Sequence, residues 1–310
     1  MNSSLSPNVV KTALDKVFLQ SYNGELRPGA TTALDSSVFV QSSTSKAAEI
    51  VEEFAGSGYW GQRPDLAEVA NGQSRTGNQQ THSVLNWAKS EDISKNLFDD
   101  QQFPVVSMMM DKMGRNARMT RDQYAFERYN LGFSSVLAND GVALFSASHI
   151  TLGTGQTVSN LVSGALSEVT LETAINSLIE QIGQDGVLGG HMPATLLVPT
   201  ALFKEATIYA ETELRPTTTN NDVNYVSKKY PGLEVKQTPF LGATAGSSGS
   251  NTAWFLLSDN HSMYRWERQA IKTDLVDYKF QRNNTYIYKG EFREVVAPIS
   301  WSGLVGSTGV

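Results

Sequence analysis

The sequence predicts an α+β fold, and three features of its hydrophobic pattern support this prediction. Apolar residues recur at a helical period from Phe103 to about Gly132. Two β-rich runs with a polar turn between them occupy residues 270–301. Residues 170–262 alternate helix-like and strand-like segments. The chain is therefore expected to combine long helical structure, a long β-hairpin and an α/β unit.

Composition limits the classes of function. The chain has 310 residues, of which 40% are hydrophobic and 18% charged, so it is long enough for a sizeable core. It has no cysteine, which excludes disulfides, thiolate nucleophiles and cysteine metal sites. The net charge is 25 − 31 = −6, so no basic surface for binding nucleic acid is expected. No apolar run of about 18 residues occurs, so no membrane span is predicted. Residues 1–6 do not resemble a secretory signal, and cytoplasmic synthesis is expected.

The N-terminal region is predicted to be a helix followed by an extended arm. Apolar residues at helical spacing indicate the helix over residues 9–18, just after Pro7. From Tyr22 to Ala33 no period is visible. A segment without its own core is expected to lie on another surface, such as that of a neighbouring subunit.

Residues 46–93 are predicted to form an extended loop. Its first flank, 47–55, fits a strand or a helix, and its second flank, 81–93, alternates like a strand. Polar residues and turn formers fill residues 56–80. So long an irregular segment is uncommon unless it is functional, and a long hairpin that reaches a neighbour would explain it. The candidate anchors are Tyr59, Trp60 and Trp87. Alternatively, these aromatic residues pin a surface loop to its own core.

Two helices are predicted after this loop. The first starts at Phe103, and its methionines are predicted to fill the core, because no Cys or His stands near them to make a soft-metal site. Gly114 is expected to weaken the middle of this helix. The second helix is predicted to open at Thr120, where Gln123 stands in capping-box position, and to end around Gly132.

The α/β unit and the C-terminal hairpin follow. The unit contains predicted helices at 171–182 and 200–213 and predicted strands at 195–198 and 253–258. Long polar loops are expected at 216–224 and 242–252. Its glycine-rich segments have no Lys-Ser/Thr in Walker position, so no phosphate cradle is predicted. The hairpin at 270–301 is predicted to turn at Asn283-Asn284.

Residues 140–149, with the sequence DGVALFSASH, are the most informative segment. They contain the residue types of a Ser–His–Asp hydrolase, but such an enzyme needs its serine on a tight elbow, and no G-x-S-x-G occurs in the chain. A hydrolase that uses His149 with Ser146 or Ser148 is therefore the least favoured alternative. The other histidines, His82, His191 and His261, have no metal-ligand spacing. No metal, no cofactor and no enzymatic activity is predicted.

The same segment resembles a signature of the major capsid proteins of tailed bacteriophages. The residues that carry this resemblance are Asp140, Gly141, Leu144, Phe145, Ser146 and His149. Further similar segments follow in the family's order: KNLFDD at 95–100, MGRNA at 113–117, ATLLVPTAL at 194–202, which contains Pro199, and WFLLSD at 254–259. Over residues 95–260 the chain looks like the branch of the transposable-phage head subunit.

This resemblance implies a tailed-phage major capsid fold, with a peripheral domain built on a spine helix and a long sheet. The implied regions are an N-terminal arm at 1–45, an extended loop at 46–93, peripheral parts at 94–169 and 263–310, and an axial α/β domain at 170–262. The implied function is self-assembly through hexamers and pentamers into an icosahedral head that encloses double-stranded DNA without sequence-specific binding.

The resemblance also implies where the chain acts and with what. The expected partners are other copies of the chain, a separate scaffolding protein, and portal and decoration proteins. Assembly is expected in the host cytoplasm, and the final location is the virion. An encapsulin-like nanocompartment shell would share the fold and is the main alternative.

Overall fold

The computed structural model describes residues 7–24, 31–100, 102–214, 223–246, 248–277, 279, 281 and 284–310. The helices are α1 (Pro7–Asn23), α2 (Lys95–Asp99), α3 (Phe103–Asn130), α4 (Glu168–Ile179), α5 (Phe203–Glu211) and α6 (Tyr225–Lys229). The strands are β1 (Val40–Ser43), β2 (Ala48–Ala55), β3 (Arg75–Ser83), β4 (Leu85–Ser94), β5 (His149–Ile150), β6 (Thr157–Val158), β7 (Pro193–Pro199), β8 (Glu234–Thr238), β9 (Trp254–Ser258), β10 (Met263–Val276), β11 (Thr285–Pro298) and β12 (Leu304–Ser307).

The predicted C-terminal hairpin is the centre of the first sheet, which we call the long sheet. Its strand order is β1-β10-β11-β4, and β10 and β11 pair antiparallel from Met263–Pro298 to Val276–Ile287. The first strand therefore begins seven residues before the predicted start at 270. Part of the predicted turn, including Asn283, lies outside the described residues. Asn284 has a φ of 51°, a left-handed conformation that asparagine tolerates better than most residues.

One continuous helix, α3, replaces the two predicted helices. It has 28 residues and is about 42 Å long at roughly 1.5 Å per residue. The predicted cap at Thr120 is wrong: its hydroxyl donates to the Asn116 carbonyl one turn earlier, inside the helix. Pro104 in the first turn fits the actual start, where a missing N–H costs nothing.

Helix α1 packs on α3 and on the long sheet of the same chain. The helix is predicted correctly, but it continues through Tyr22, which the sequence assigns to an extended arm. Tyr22 is buried. Arg121 donates a hydrogen bond to the Tyr22 hydroxyl at 2.6 Å, and its guanidinium carbon lies over the Tyr22 ring, 4.9 Å from the centroid. Residues 25–30 of the predicted arm lie outside the described residues.

Gly114 lies where α1 crosses α3 most closely. A Cβ at this position would lie 2.4 Å from the Phe18 carbonyl oxygen, so only glycine fits without a shift of α1. The residue is therefore a packing requirement as well as a weak point of helix propensity.

The second sheet, which we call the short sheet, has the order β12-β9-β7-β8. The predicted strands at 195–198 and 253–258 are its two central strands, and both are buried. Strand β8 is not predicted by the sequence. Strand β12 lies within residues 263–310, which the sequence predicts to be peripheral, and it returns to pair with β9 of the short sheet.

Helices α4 and α5 cover the short sheet close to their predicted positions. Helix α4 begins three residues before the predicted start, because the Ser167 hydroxyl accepts the Thr170 N–H in a capping box that the sequence reading missed. Helix α5 is preceded by a 3-10 turn at Thr200–Leu202 and is shorter than predicted. Most of the predicted loop at 216–224 lies outside the described residues.

Replacing Gly114 with Ala is expected to lower the free energy of unfolding by about 1–3 kcal/mol, because the new methyl group overpacks the contact with Phe18. An ordinary Gly→Ala change inside a helix would instead raise it by roughly 1 kcal/mol. Urea denaturation measures the difference. Asn116→Ala, on the exposed side of the same helix, is the control and is expected to be neutral or slightly stabilising. A stabilised Gly114→Ala variant would mean that α1 does not pack there.

The second prediction concerns Asp15 of α1, which accepts hydrogen bonds from Thr273 and Tyr288 of the long sheet, both at 2.7 Å. Burial raises the pKa of Asp15, but these hydrogen bonds and one from Lys11 outweigh burial, so its pKa lies below the ordinary 3.8. The stabilisation is therefore present above pH 3.8 and lost as pH falls through the lowered pKa.

Asp15→Asn is accordingly expected to cost about 1–2 kcal/mol of unfolding free energy at neutral pH. The difference from wild type should shrink in acid, because wild-type Asp15 is then protonated too. Urea titrations on both sides of pH 3.8 measure this. Asp92→Asn, an exposed change on the same sheet, should show no such pH dependence; an unchanged difference for Asp15→Asn in acid would contradict the argument.

Candidate functional site

The signature loop, residues 140–149, lies between the end of α3 and β5. Asp140-Gly141 forms the predicted turn: Gly141 has a φ of 79°, and the Val142 N–H donates to the Asp140 side chain at 3.1 Å. The same carboxylate reaches across the loop to His149, with 2.6 Å between Oδ2 and Nδ1. The two ends of the signature are thus joined directly.

His149 is fully buried, and every polar atom near its ring is an acceptor. Nδ1 faces the Asp140 carboxylate, and Nε2 lies 3.2 Å from both the Leu144 carbonyl oxygen and Asn160 Oδ1. The orientation of the Asn160 amide is fixed, because its Oδ1 also accepts the Ser146 N–H and its Nδ2 donates to the Leu144 carbonyl. Both ring nitrogens therefore face oxygen atoms of the protein itself. Trp301 stacks on the ring with 5.0 Å between centroids.

This geometry opposes the hydrolase alternative. A general base must lie within hydrogen-bonding distance of the proton that it removes, and both ring nitrogens of His149 face other partners. The hydroxyls of Ser146 and Ser148 lie 3.1 Å from each other, and the described contacts of the His149 ring include neither of them. The segment therefore serves as a structural latch.

The apolar residues of the signature are core residues. Phe145 contacts Phe133 and Phe255 with ring centroids 5.1 and 5.2 Å apart. Leu144 is fully buried beside it. Pro199 has a different position and ends β7, where the chain turns into the 3-10 segment before α5.

The extended loop is a long hairpin made by β2 and β3. These strands pair antiparallel from Ala48–Ser83 to Ala55–Arg75, so the ambiguous first flank is a strand. The irregular segment is shorter than predicted, because β3 already begins at Arg75. We call residues 56–74 the hairpin tip. Its apolar side chains are exposed: Trp60 95%, Leu66 94%, Val69 74% and Tyr59 69%.

The two aromatic candidates in the tip differ in their contacts. The Tyr59 hydroxyl accepts the Leu188 N–H at 3.2 Å, so this residue rests on its own chain. Trp60 is almost completely uncovered. Trp87, the third candidate, lies in β4 of the long sheet and is half-buried against Tyr124 and Phe292, with centroids 5.1 and 6.4 Å away. The contacts of Tyr59 and Trp87 seen here are intramolecular, so Trp60 is the candidate that is free for an intermolecular contact.

The paired part of the hairpin is hydrogen-bonded to the signature loop and to the residues just before it. The Asn78 side chain donates to the Asp140 carbonyl at 3.4 Å, and the Gln80 side chain donates to the Ala138 carbonyl. Glu53 of β2 is buried and accepts the Asn78 N–H at 3.3 Å. Burial raises the pKa of Glu53, and the negative charge of Asp140 raises it further. Sequence reasoning missed Glu53 and Asn160, because neither stands in a recognisable motif.

The described residues contain no group of three or more His, Asp and Glu side chains placed to hold a metal ion. None of their helices is both long and apolar enough to span a bilayer.

The fold has a spine helix on a long sheet, a second sheet and a projecting hairpin. Together these features define a class of protein, the subunits of capsid shells. The sequence model of the family described as phage capsid protein matches residues 78–307. The chain belongs to this family, as the sequence predicts. It is a structural protein of the bacteriophage head, and its place is the capsid of the virion.

Solved structures agree in fold at low sequence identity. Mycobacterium phage Adephagia has a chain with a TM-score of 0.55 and 16% identity, with 98% of each chain covered. The capsid of Myoviridae phage XM1 gives 0.54 and 13%, covering 93% of this chain and 95% of that one. A virus-like particle from Pyrococcus furiosus gives 0.54 and 8%, covering 96% and 98%. No curated protein sequence matches significantly. The predicted fold class is confirmed.

His149→Gln is expected to lower the free energy of unfolding by roughly 1–3 kcal/mol, because it removes the hydrogen-bond partner of the Asp140 carboxylate and the ring that stacks on Trp301. Urea denaturation is the measurement. Ser148→Ala, an exposed change in the same loop, is expected to stay within about 0.5 kcal/mol of wild type. Equal stability of the His149→Gln variant and wild type would refute the latch.

Proposed function

We propose that this chain is the major shell-forming subunit of an icosahedral phage head and assembles through hexamers and pentamers around double-stranded DNA. The observation that carries the proposal is the uncovered apolar tip of the hairpin. Monomeric soluble proteins rarely leave such side chains together in water, and a contiguous exposed apolar patch usually marks an interaction site. Trp60 is 95% exposed, so contact with a partner would bury a large apolar surface at this side chain.

The hairpin is suited to link copies of the chain. Its paired part is held by Asn78 and Gln80 of β3, which donate to the backbone at Asp140 and Ala138, while its tip extends beyond the paired part of β2 and β3. A hairpin of this kind can bridge to a neighbour in rings of five and of six. Many modest contacts of this kind then add up to a stable shell.

The proposal extends to partners. A net charge of −6 suits a wall that encloses DNA without binding its sequence. A separate scaffolding protein, a portal and decoration proteins are further proposed partners, with assembly in the host cytoplasm. No catalytic activity is needed for any of these roles.

A nanocompartment shell of encapsulin type is the second candidate, because the fold also occurs in the virus-like particle from Pyrococcus furiosus. The contents of particles purified from an infected or expressing host distinguish the two. Packaged nucleic acid of defined length supports the phage head, whereas a specific protein cargo supports the nanocompartment.

The test is electron microscopy with sedimentation of the chain, expressed alone and with candidate scaffolding partners. Closed shells or rings of five and six subunits are expected. A small discrete species under every condition would overturn the proposal.

Trp60→Ser is expected to raise the protein concentration needed for assembly roughly tenfold or more, as the loss of about 2 kcal/mol at each contact would. The monomer should unfold as wild type does, because Trp60 is exposed. Gln73→Ser, an exposed polar change in the same tip, is the control. If Trp60→Ser assembles at the same concentration as wild type, the tip is not part of the interface.

A further inference from the structure

A second buried histidine, His191, has partners of a different kind from those of His149. Its ring is 5% exposed and lies just before β7. Nε2 lies 2.7 Å from the hydroxyl of Ser302, and Nδ1 lies 2.6 Å from Asn260 Oδ1. The three residues are far apart in sequence and meet where β7, β9 and the segment before β12 come together.

The direction of these hydrogen bonds makes His191 a base. A carbonyl oxygen of an amide only accepts, so Nδ1 carries the proton that is shared with Asn260. Nε2 is then the acceptor for the hydroxyl proton of Ser302. Asn260 is itself held, because the Ser258 hydroxyl donates to the same Oδ1 at 2.5 Å and the Asn260 N–H donates to Ser258 Oγ at 3.1 Å. A nucleophile (Ser302), a base (His191) and an orienting group (Asn260) are thus linked by consecutive hydrogen bonds.

The residues around this cluster leave one donor unused. Gln181 is 2% exposed, and its Oε1 accepts the N–H of Gly303, the residue after Ser302, at 2.7 Å. Its Nε2 is buried and has no hydrogen-bond partner in the part of the chain that the structure describes. A buried amide donor without a partner is costly.

Access to the cluster differs from access to His149. Ser302 is half-buried, and Leu188 and Met192, which flank His191 in sequence, are 57% and 51% exposed. Gly189 packs against the His191 ring, where a Cβ would lie 2.4 Å from Nε2. The backbone of Gly189 therefore lies beside the nitrogen that faces Ser302, and only a residue without a side chain fits there.

We propose that Ser302 is a nucleophile activated by His191, with Asn260 as the positioning residue, and that it accepts acyl groups from esters. Ser302 Oγ bonds to the ester carbonyl carbon while its proton passes to His191 Nε2. The carbon–oxygen bond to the alcohol then breaks, and the alcohol leaves with that proton. Water releases the acid from the acyl-serine by the same proton path.

Labelling of the full-length protein, both unassembled and in particles, with a fluorescent fluorophosphonate tests the proposal. The serine oxygen displaces fluoride from phosphorus, and mass spectrometry of the wild-type protein maps the modified residue. Ser302 is expected to carry the label, and p-nitrophenyl acetate is expected to be hydrolysed with an acyl-serine at the same residue. Label on another residue, or a folded protein without label, overturns the proposal.

Variants separate activation from simple exposure. Ser302→Ala is expected to abolish labelling, and His191→Gln to slow it roughly 100-fold, as loss of a general base does. Asn260→Ala should slow labelling, and Asn260→Asp should restore it, which a merely structural role would not produce. Ser148→Ala is expected to label like wild type. Circular dichroism checks the fold of each variant, and equal labelling rates in wild type and folded His191→Gln would contradict activation.

Discussion

The close packing of Phe145 at the junction of the two sheets is the constraint on which the rest of the fold depends. Its ring lies against Gly132 at the end of α3 and Gly306 in β12, where a Cβ would come within 2.8 and 2.7 Å of it. Only glycines allow the spine helix and the short sheet to approach the same ring. The Phe145 N–H donates to the Gly132 carbonyl at 2.9 Å, which fixes the position of the Phe145 backbone beside the end of α3. The signature loop is therefore the piece that holds the two halves of the core together.

Polar residues of the same loop extend this constraint to the surface. The pair of Asp140 and His149 closes the loop, and the backbone at Asp140 and at Ala138, just before the loop, accepts hydrogen bonds from Asn78 and Gln80 of β3. The position of the hairpin is thus linked to the core through these contacts, whereas Trp60 in its tip remains exposed.

His149 and His191 are both buried, and they show how neighbouring groups decide what an imidazole does. Three oxygen atoms surround the His149 ring, which holds a loop in place. His191 faces one amide oxygen and one hydroxyl, and a hydroxyl can donate, so this ring can act as a base. The sequence places His149 beside serine and aspartate in the signature, and it shows His191 as a scattered histidine without metal-ligand spacing. A shell protein thus has one histidine suited to structure and another suited to proton transfer.

The sequence by itself determined the α+β class, the helical period of α3, the two central strands of the short sheet, the C-terminal hairpin and the family, because these depend on local periodicity or contiguous motifs. It did not reveal that α3 is continuous, since Thr120 and Gln123 look the same inside a helix as at its start. Strand β8 is short and half-polar, and β12 lies far in sequence from its partner β9, so neither has a local signal. Tertiary structure alone decided which polar residues meet: Glu53 near Asp140, Asn160 beside His149, and Ser302 beside His191. Such contacts come from the packing of distant segments, which no period or spacing in the chain records.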